Sequence, residues 1–306
     1  MIFLVLLLYM LFATTFTVAK ACVLYMDPLF FIGIRMSIAG IAFLGYQYIH
    51  NKHQKWPKKE DAYLFVQLIL FHVFFAYILE FWALQYVTSY KTALIFNASP
   101  FITALLAYTL FKEKVTIRQW IGLSIGFIGF LPILIPSIAQ ERAIGSIGFF
   151  SYPELALIMA VTSSCYGWMI FKQLVVYRDY SPIAVNGVGM TVGGVLALMV
   201  WALSVGGMPL NPAFPWHIAL SKSVMYMGIL IIIANTICYN LYGFLLKKYS
   251  TTFLSFAGCI TPLFSALFGS LFLKEPLTWH FVCAIFIICS GLFIFYQDEL
   301  LSKKQF

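Results

Sequence analysis

The chain has 306 residues, 62% of them hydrophobic and only 10% charged, with a formal net charge of +8 and a mean hydropathy of +0.92. A soluble domain carries roughly 25% charged residues, so this chain lacks the polar side chains to cover a water-facing surface. Its positive charge does not point to nucleic acid, because most basic residues fall in short loops between apolar runs, where membrane topology places them.

Ten apolar runs follow one another at about 2–20, 29–49, 62–85, 92–111, 119–136, 153–173, 183–205, 223–246, 252–273 and 278–297. Each approaches the roughly 20 mainly apolar residues that cross a bilayer as a helix. The runs are continuous rather than alternating, which predicts helices and not a barrel. The first run ends in Ala19-Lys20-Ala21, which imitates a signal-peptidase site. It has no basic residue before Lys20 and is long for a signal peptide, so it is read as the first span. The longest loops are 137–152, which joins two halves, and 206–222, which is rich in Gly and Pro.

Ionisable and polar groups inside such runs are costly and by default suggest function. Lys20 lies near the end of the first run, where snorkelling to the interface is the cheaper reading. Arg35 lies about six residues into the second, roughly 9 Å deep at 1.5 Å per residue. It is either a fixed charge for a substrate carboxylate or half of a structural ion pair. In the third run, Glu80 sits at a similar depth. It either pairs with Arg35, takes up protons or holds an amine. His72 is a candidate proton relay or a hydrogen-bonded packing residue, and Tyr77, Phe81 and Trp82 crowd the same run. Asn97 and Pro100 lie in the fourth run, and Gly122 and Gly126 form a small-xxx-small pair in the fifth. Tyr166 and Trp168 lie in the sixth, and Asn186, Gly189, Gly193 and Gly194 in the seventh. In the eighth, Asn235 and Tyr239 are four apart and share a helix face, with Asn240 and Tyr242 nearby. Pro100 and Pro262, deep in the fourth and ninth runs, predict matched kinks and hinges. The aromatic rings suit stacking on a nucleobase or the solvation of a cationic centre.

With the N-terminus placed in the cytoplasm, the inner loops hold Lys52, Lys55, Lys58, Lys59, Lys112, Lys114, Arg118, Lys172, Arg178, Lys247, Lys248, Lys303 and Lys304. The outer side holds Lys20, Lys91, Arg142, Lys222 and Lys274. The asymmetry obeys the positive-inside rule and an even span count puts both termini inside. A shift of 162 positions pairs Tyr77 with Tyr239, Pro100 with Pro262, Lys112-Glu113 with Lys274-Glu275, Thr116 with Thr278 and Gly129 with Gly291. The first helices need a shift of about 152, which pairs Phe16 with Trp168 and Lys20 with Lys172. A repeat with an odd number of spans reverses its orientation in the second copy, the plan of secondary transporters with a site between the halves. The expected fold is therefore an all-α integral membrane protein of ten transmembrane helices. They form two inverted five-helix repeats over 1–136 and 153–306, joined by 137–152.

The opening FATTFTVAKACVLYMDPLFFIGIRMSIAG, the segment ASPFITALLAYTLFKEKVTIRQWIGLSIGFIG and its echo TPLFSALFGSLFLKEPLTW together resemble the drug/metabolite transporter superfamily, in particular its ten-helix EamA-like branch. The resemblance places Lys20 near the end of helix 1, Asp27-Pro28 at the turn, Arg35 inside helix 2, and Pro100, Glu113 and Gly122 in helices 4 and 5. It covers nearly the whole chain. Where the second half should echo Arg35, this chain has Gly189 or a neighbour. The resemblance implies a carrier of small organic metabolites in a bacterial inner membrane. One branch, in intracellular bacteria, is similar to exchangers of S-adenosylmethionine and S-adenosylhomocysteine.

No phosphate-binding loop, His-Glu-x-x-His, Gly-x-Ser-x-Gly or intramembrane aspartate pair is present, which weighs against ATP hydrolysis and a membrane enzyme. The six cysteines make no Cys-x-x-Cys pair, and no motif implies a metal or other cofactor. A channel would pass rapid, non-saturating flux, whereas a carrier saturates. The expected function is alternating-access transport of an amino acid or amino-acid-bearing metabolite, with a proton or counter-substrate as a possible partner. A drug or hydrophobic-cation exporter is the alternative. The expected site residues are Arg35, Glu80, His72, Tyr77, Asn97, Trp168, Asn235 and Tyr239.

Overall fold

The computed structural model describes residues 2–50, 57–111, 116–134, 144–147, 150–204, 207–246, 254, 257–275 and 279–302. Lys52, Lys55, Lys112, Glu113, Lys114, Arg142, Lys247, Lys248, Thr278, Lys303 and Lys304, and most of the 137–152 loop, lie outside the described residues. The helices are α1 (Ile2–Cys22), α2 (Pro28–His50), α3 (Lys59–Leu84), α4 (Ser89–Phe96), α5 (Ser99–Phe111) and α6 (Ile117–Leu134). After a two-residue hairpin, β1 (Ser146–Ile147) and β2 (Phe150–Ser151), come α7 (Tyr152–Tyr177), α8 (Pro182–Ser204), α9 (Trp216–Leu246), α10 (Thr261–Leu273) and α11 (Trp279–Ser302). Six of them, α1, α2, α3, α7, α8 and α9, are long and apolar enough to cross a membrane. The fold is that of a helical, multi-pass membrane protein.

Local chemistry sets the helix ends. Asp27 Oδ1 accepts from the backbone N–H groups of Leu29 (2.9 Å) and Phe30 (3.1 Å), with Pro28 in the first turn of α2. Ser151 and Glu154 form a reciprocal capping box at the start of α7. Lys274 stops α10 in the left-handed conformation.

Two expectations change. The fourth apolar run is not one kinked helix: α4 ends at Phe96, Asn97 caps it, and α5 restarts at Ser99. Pro100 therefore sits in the first turn of a new helix, where its missing N–H costs nothing, and Pro262 occupies the same place in α10. The eighth run begins at Trp216, seven residues earlier than apolarity alone indicated.

Several helices cross at glycines. A methyl group added at Gly33 would meet Leu198 and one at Gly187 would meet Leu44; at Gly40 it would meet Thr191, and at Gly194, Ser37. These contacts join α2 to α8, two helices whose starts are offset by 154 positions. Each contact is the other's image under that offset. On α6 and α11, Gly129 faces Ile288 while Gly291 faces Gly126, images under an offset of 162. The same offset relates the starts of α5 and α10.

Both ends of the bundle are tied across it. At the end carrying the α1–α2 turn, Asp27 N–H donates to Pro209 O (2.8 Å) and Asn211 N–H to Tyr25 O (2.9 Å). Lys91 of α4 there meets Glu154 of α7 at 2.8 Å, both side chains buried. At the opposite end, Tyr180 donates to Asp61 (2.7 Å), and Arg178 pairs with Asp61 (3.2 Å). Burial and that hydrogen bond push the Tyr180 hydroxyl above its ordinary value.

Candidate functional site

The middle of the bundle collects polar groups in an apolar setting. α2 carries Arg35, which is only 1% exposed. Its guanidinium carbon lies 4.9 Å from the Tyr77 ring centroid, 5.1 Å from Phe81 and 5.7 Å from Phe31. Its Nε and one terminal nitrogen have no hydrogen-bond partner. Glu80, one turn beyond Tyr77 on α3, is also buried and interacts electrostatically with Arg35. The two do not form a direct ion pair, so the structural-pair reading of Arg35 fails in this geometry.

The helix that presents Tyr77 and Glu80 is not regular. Residues Leu68–Phe75 of α3 are π-helical, and so are Ile231–Cys238 of α9. Each wider stretch turns the face that follows it relative to an α-helix and exposes backbone to side-chain capture, as Thr236 Oγ1 shows by donating to Ile231 O (2.9 Å). Tyr77 is the second residue after the first stretch and Tyr239 the first after the second; they are 162 positions apart, and their hydroxyls are hydrogen-bonded to each other.

His72 lies inside the first π-helical stretch and is 2% exposed. Neither ring nitrogen makes a hydrogen bond of full geometry, and the backbone of Ser164 is the polar group that acts on the ring. Its ring sits 4.4 Å from Trp168 and 5.4 Å from Tyr239. Gly167 lets the α7 backbone approach it, since a methyl there would strike His72. Trp168 also packs 5.2 Å from Tyr239 and 4.3 Å from Tyr242.

Asn235 lies in the second π-helical stretch at 0% exposure. Its amide nitrogen reaches Met36 Sδ (3.0 Å) and Met190 Sδ (3.4 Å), and its Oδ1 has no partner. Asn186 donates to Asn240 between helices (3.3 Å). Asn97 is buried at the break between α4 and α5, on a different element from the central group. Arg35, Tyr77, Glu80, His72, Trp168 and Tyr239 thus form one chain of neighbours, with Asn235 one turn from Tyr239.

Sequence reasoning missed Lys91 as a buried group. It was counted with the outer loop lysines, yet it is 3% exposed and paired with Glu154. The Ser151-x-x-Glu154 capping signature was present, but the partner lies on another half of the chain. Glu275, which accepts from Ser89 N–H (2.8 Å) and Ser89 Oγ (2.6 Å), was missed likewise. Lys20 does not simply snorkel: it donates to Leu84 O (2.5 Å) at the end of α3.

A model of the EamA-like transporter family matches residues 1–135 and again residues 152–297. The chain belongs to the EamA-like transporter family. Among its EamA-like relatives, an S-adenosylmethionine/S-adenosylhomocysteine transporter of Chlamydia muridarum (strain MoPn / Nigg) is 31% identical over 97% of this chain and 92% of that protein. The protein of the same description from Chlamydia trachomatis serovar L2 is 31% identical over 97% and 89%. An uncharacterized transporter of Archaeoglobus fulgidus is 24% identical over 91% and 92%. A solved crystal structure has the same overall fold, with a TM-score of 0.61 at 16% identity over 99% of this chain and 96% of the other.

Proposed function

We propose that this EamA-like protein is a secondary carrier for an amino acid or amino-acid-bearing metabolite, S-adenosylmethionine and S-adenosylhomocysteine being one specific pair, moved by alternating access. Arg35 carries the reading. A buried guanidinium with two unpartnered nitrogens, lying over the rings of Phe31, Tyr77 and Phe81 with Glu80 near but not ion-paired, is a receptor waiting for a carboxylate. Cation–π contacts are worth about 0.5–2 kcal/mol each, against several kcal/mol for burying an ion. An incoming anion makes up the difference. Glu80, close but not ion-paired, is placed for the substrate's ammonium. Tyr77, His72, Trp168, Asn235 and Tyr239 complete the site, and Asn97 marks a helix break that lets α4 and α5 move separately. The two Chlamydia relatives support the S-adenosyl case.

The proposed architecture is ten spans in two inverted five-helix repeats, 1–136 and 153–306. The two family matches, the common offsets of helix starts and the reciprocal glycine contacts support it. In a bacterial inner membrane with cytoplasmic termini, the α1–α2 turn faces outward and the Asp61–Tyr180 ties face the cytoplasm.

Uptake by Arg35→Ala and Glu80→Gln variants in proteoliposomes tests the reading. Arg35→Ala is expected to lower zwitterion uptake by about 100-fold or more, the loss of charge-assisted hydrogen bonds. An indifferent Arg35 together with an essential Glu80 overturns it and favours export of hydrophobic cations.

A further inference from the structure

The halves bring unequal chemistry to the central cluster. Under the 154-residue offset of α2 and α8, the position equivalent to Arg35 is Gly189. Under the 162-residue offset of α3 and α9, the positions equivalent to Glu80 and His72 are Tyr242 and Ala234. The first half thus supplies both charges, and the second half supplies rings and an amide where the charges would recur.

The rings of the second half form one wall. Trp168 lies against Tyr242 and Tyr239, with the His72 edge across from it, and Trp168 itself is only partly buried. The wall joins the charged group through the Tyr77–Tyr239 hydroxyl pair. One turn from Tyr239, the Oδ1 of Asn235, wholly buried and unpartnered, offers an acceptor to a donor that the protein does not supply.

We propose that the site holds its substrate in one orientation, with the charged head at Arg35 and Glu80 of the first half and a ring system on the Trp168–Tyr242 wall of the second. The substrate class is then a zwitterion bearing a heteroaromatic ring, and Trp168 and Tyr242 are its specificity-determining residues. Asn235 Oδ1 takes a hydrogen bond from the same molecule. This inference rests on the reading of the cluster as the substrate site. Stacking a base on an aromatic side chain changes affinity by about 5- to 150-fold.

The test is equilibrium binding to the reconstituted full chain with three probes: S-adenosylmethionine, methionine as head without ring, and adenosine as ring without head. Trp168→Leu and Tyr242→Leu are expected to lower the affinity ratio of S-adenosylmethionine to methionine by about tenfold or more. Trp168→Phe, which keeps a ring, restores most of the ratio and shows that the site still folds. Arg35→Ala is expected to shift the ratio of adenosine to methionine in favour of adenosine. An unchanged ratio in both leucine variants overturns the orientation while leaving the site in place. Retention of all three probes by Arg35→Ala overturns the site reading itself. Failure of the parent chain to bind any probe, with saturable uptake of a ringless zwitterion, overturns the substrate class alone.

Discussion

Arg35 rests in an apolar bundle on Tyr77, Phe81 and Phe31, and two of its nitrogens are left over. Residues of this kind are legible in sequence, because an arginine or glutamate in an apolar run has few reasons to be there. Arg35, Glu80 and His72 stand out in this way. What sequence withholds is the company they keep. Tyr77 and Tyr239 appear as equivalent positions under a common offset, but nothing local says that their hydroxyls touch. That contact makes a prediction. Tyr77→Phe and Tyr239→Phe remove opposite ends of one hydrogen bond, so their effects on substrate affinity should not add. The double variant should match the more affected single variant, with a coupling of about 0.5–1.5 kcal/mol. Strict additivity in the double-mutant cycle would separate the two hydroxyls. Lys91 shows the opposite limit: at the end of an apolar run a lysine reads as an interface residue, and only the fold brings Glu154 to it.

Among the elements, the long helices follow from the apolar runs, which leave little choice in a bilayer. Helix breaks and π-helical stretches are harder to see. Leu68–Phe75 and Ile231–Cys238 carry no proline or glycine to announce them. Pro100 and Pro262 were visible, but the same residue that kinks a continuous helix also fits the first turn of a new one, and here the second arrangement holds. The Lys91–Glu154 tie between α4 and α7 is expected to be costly to break and cheap to replace. Lys91→Met alone should destabilise by about 3–5 kcal/mol, read as a lowered thermal midpoint in detergent, because it strands a buried carboxylate. Lys91→Met with Glu154→Gln, which removes the charge and keeps the acceptor of the capping box, should recover much of the loss. The glycine crossing of α2 and α8 gives another test at this scale. Gly194→Leu drives a side chain into the Ser37 backbone and should cost about 1–3 kcal/mol or more. Gly45→Leu, where a Cβ meets nothing within 4 Å, should be nearly neutral in the same melt.

The proposed repeat architecture accounts for a reciprocity at the whole-molecule scale: glycine contacts between α2 and α8, and between α6 and α11, recur with the roles of the two halves exchanged. Such self-complementary pairing is what a two-fold relation produces. The chemistry breaks that symmetry, since Arg35 and Glu80 face Gly189 and Tyr242 in the equivalent places. A fold with matching halves can rock about its centre, and an asymmetric site can hold one substrate in one direction while it does. That the chain is a multi-pass membrane transporter was legible from its apolar runs and from the segments that resemble the family. The site's shape was not, because it depends on helix irregularities and on distant neighbours such as Tyr77 and Tyr239, 162 positions apart, and Met36 and Asn235, 199 apart. The most direct measurement is counterflow in proteoliposomes preloaded with unlabelled metabolite. Radiolabelled amino acids and S-adenosylmethionine are supplied outside, for the parent chain and Arg35→Ala. Saturable, accelerated uptake of one zwitterion by the parent, abolished by the substitution, is the predicted result. Flux that neither saturates nor responds to preloading, or counterflow untouched by loss of Arg35, would contradict the account.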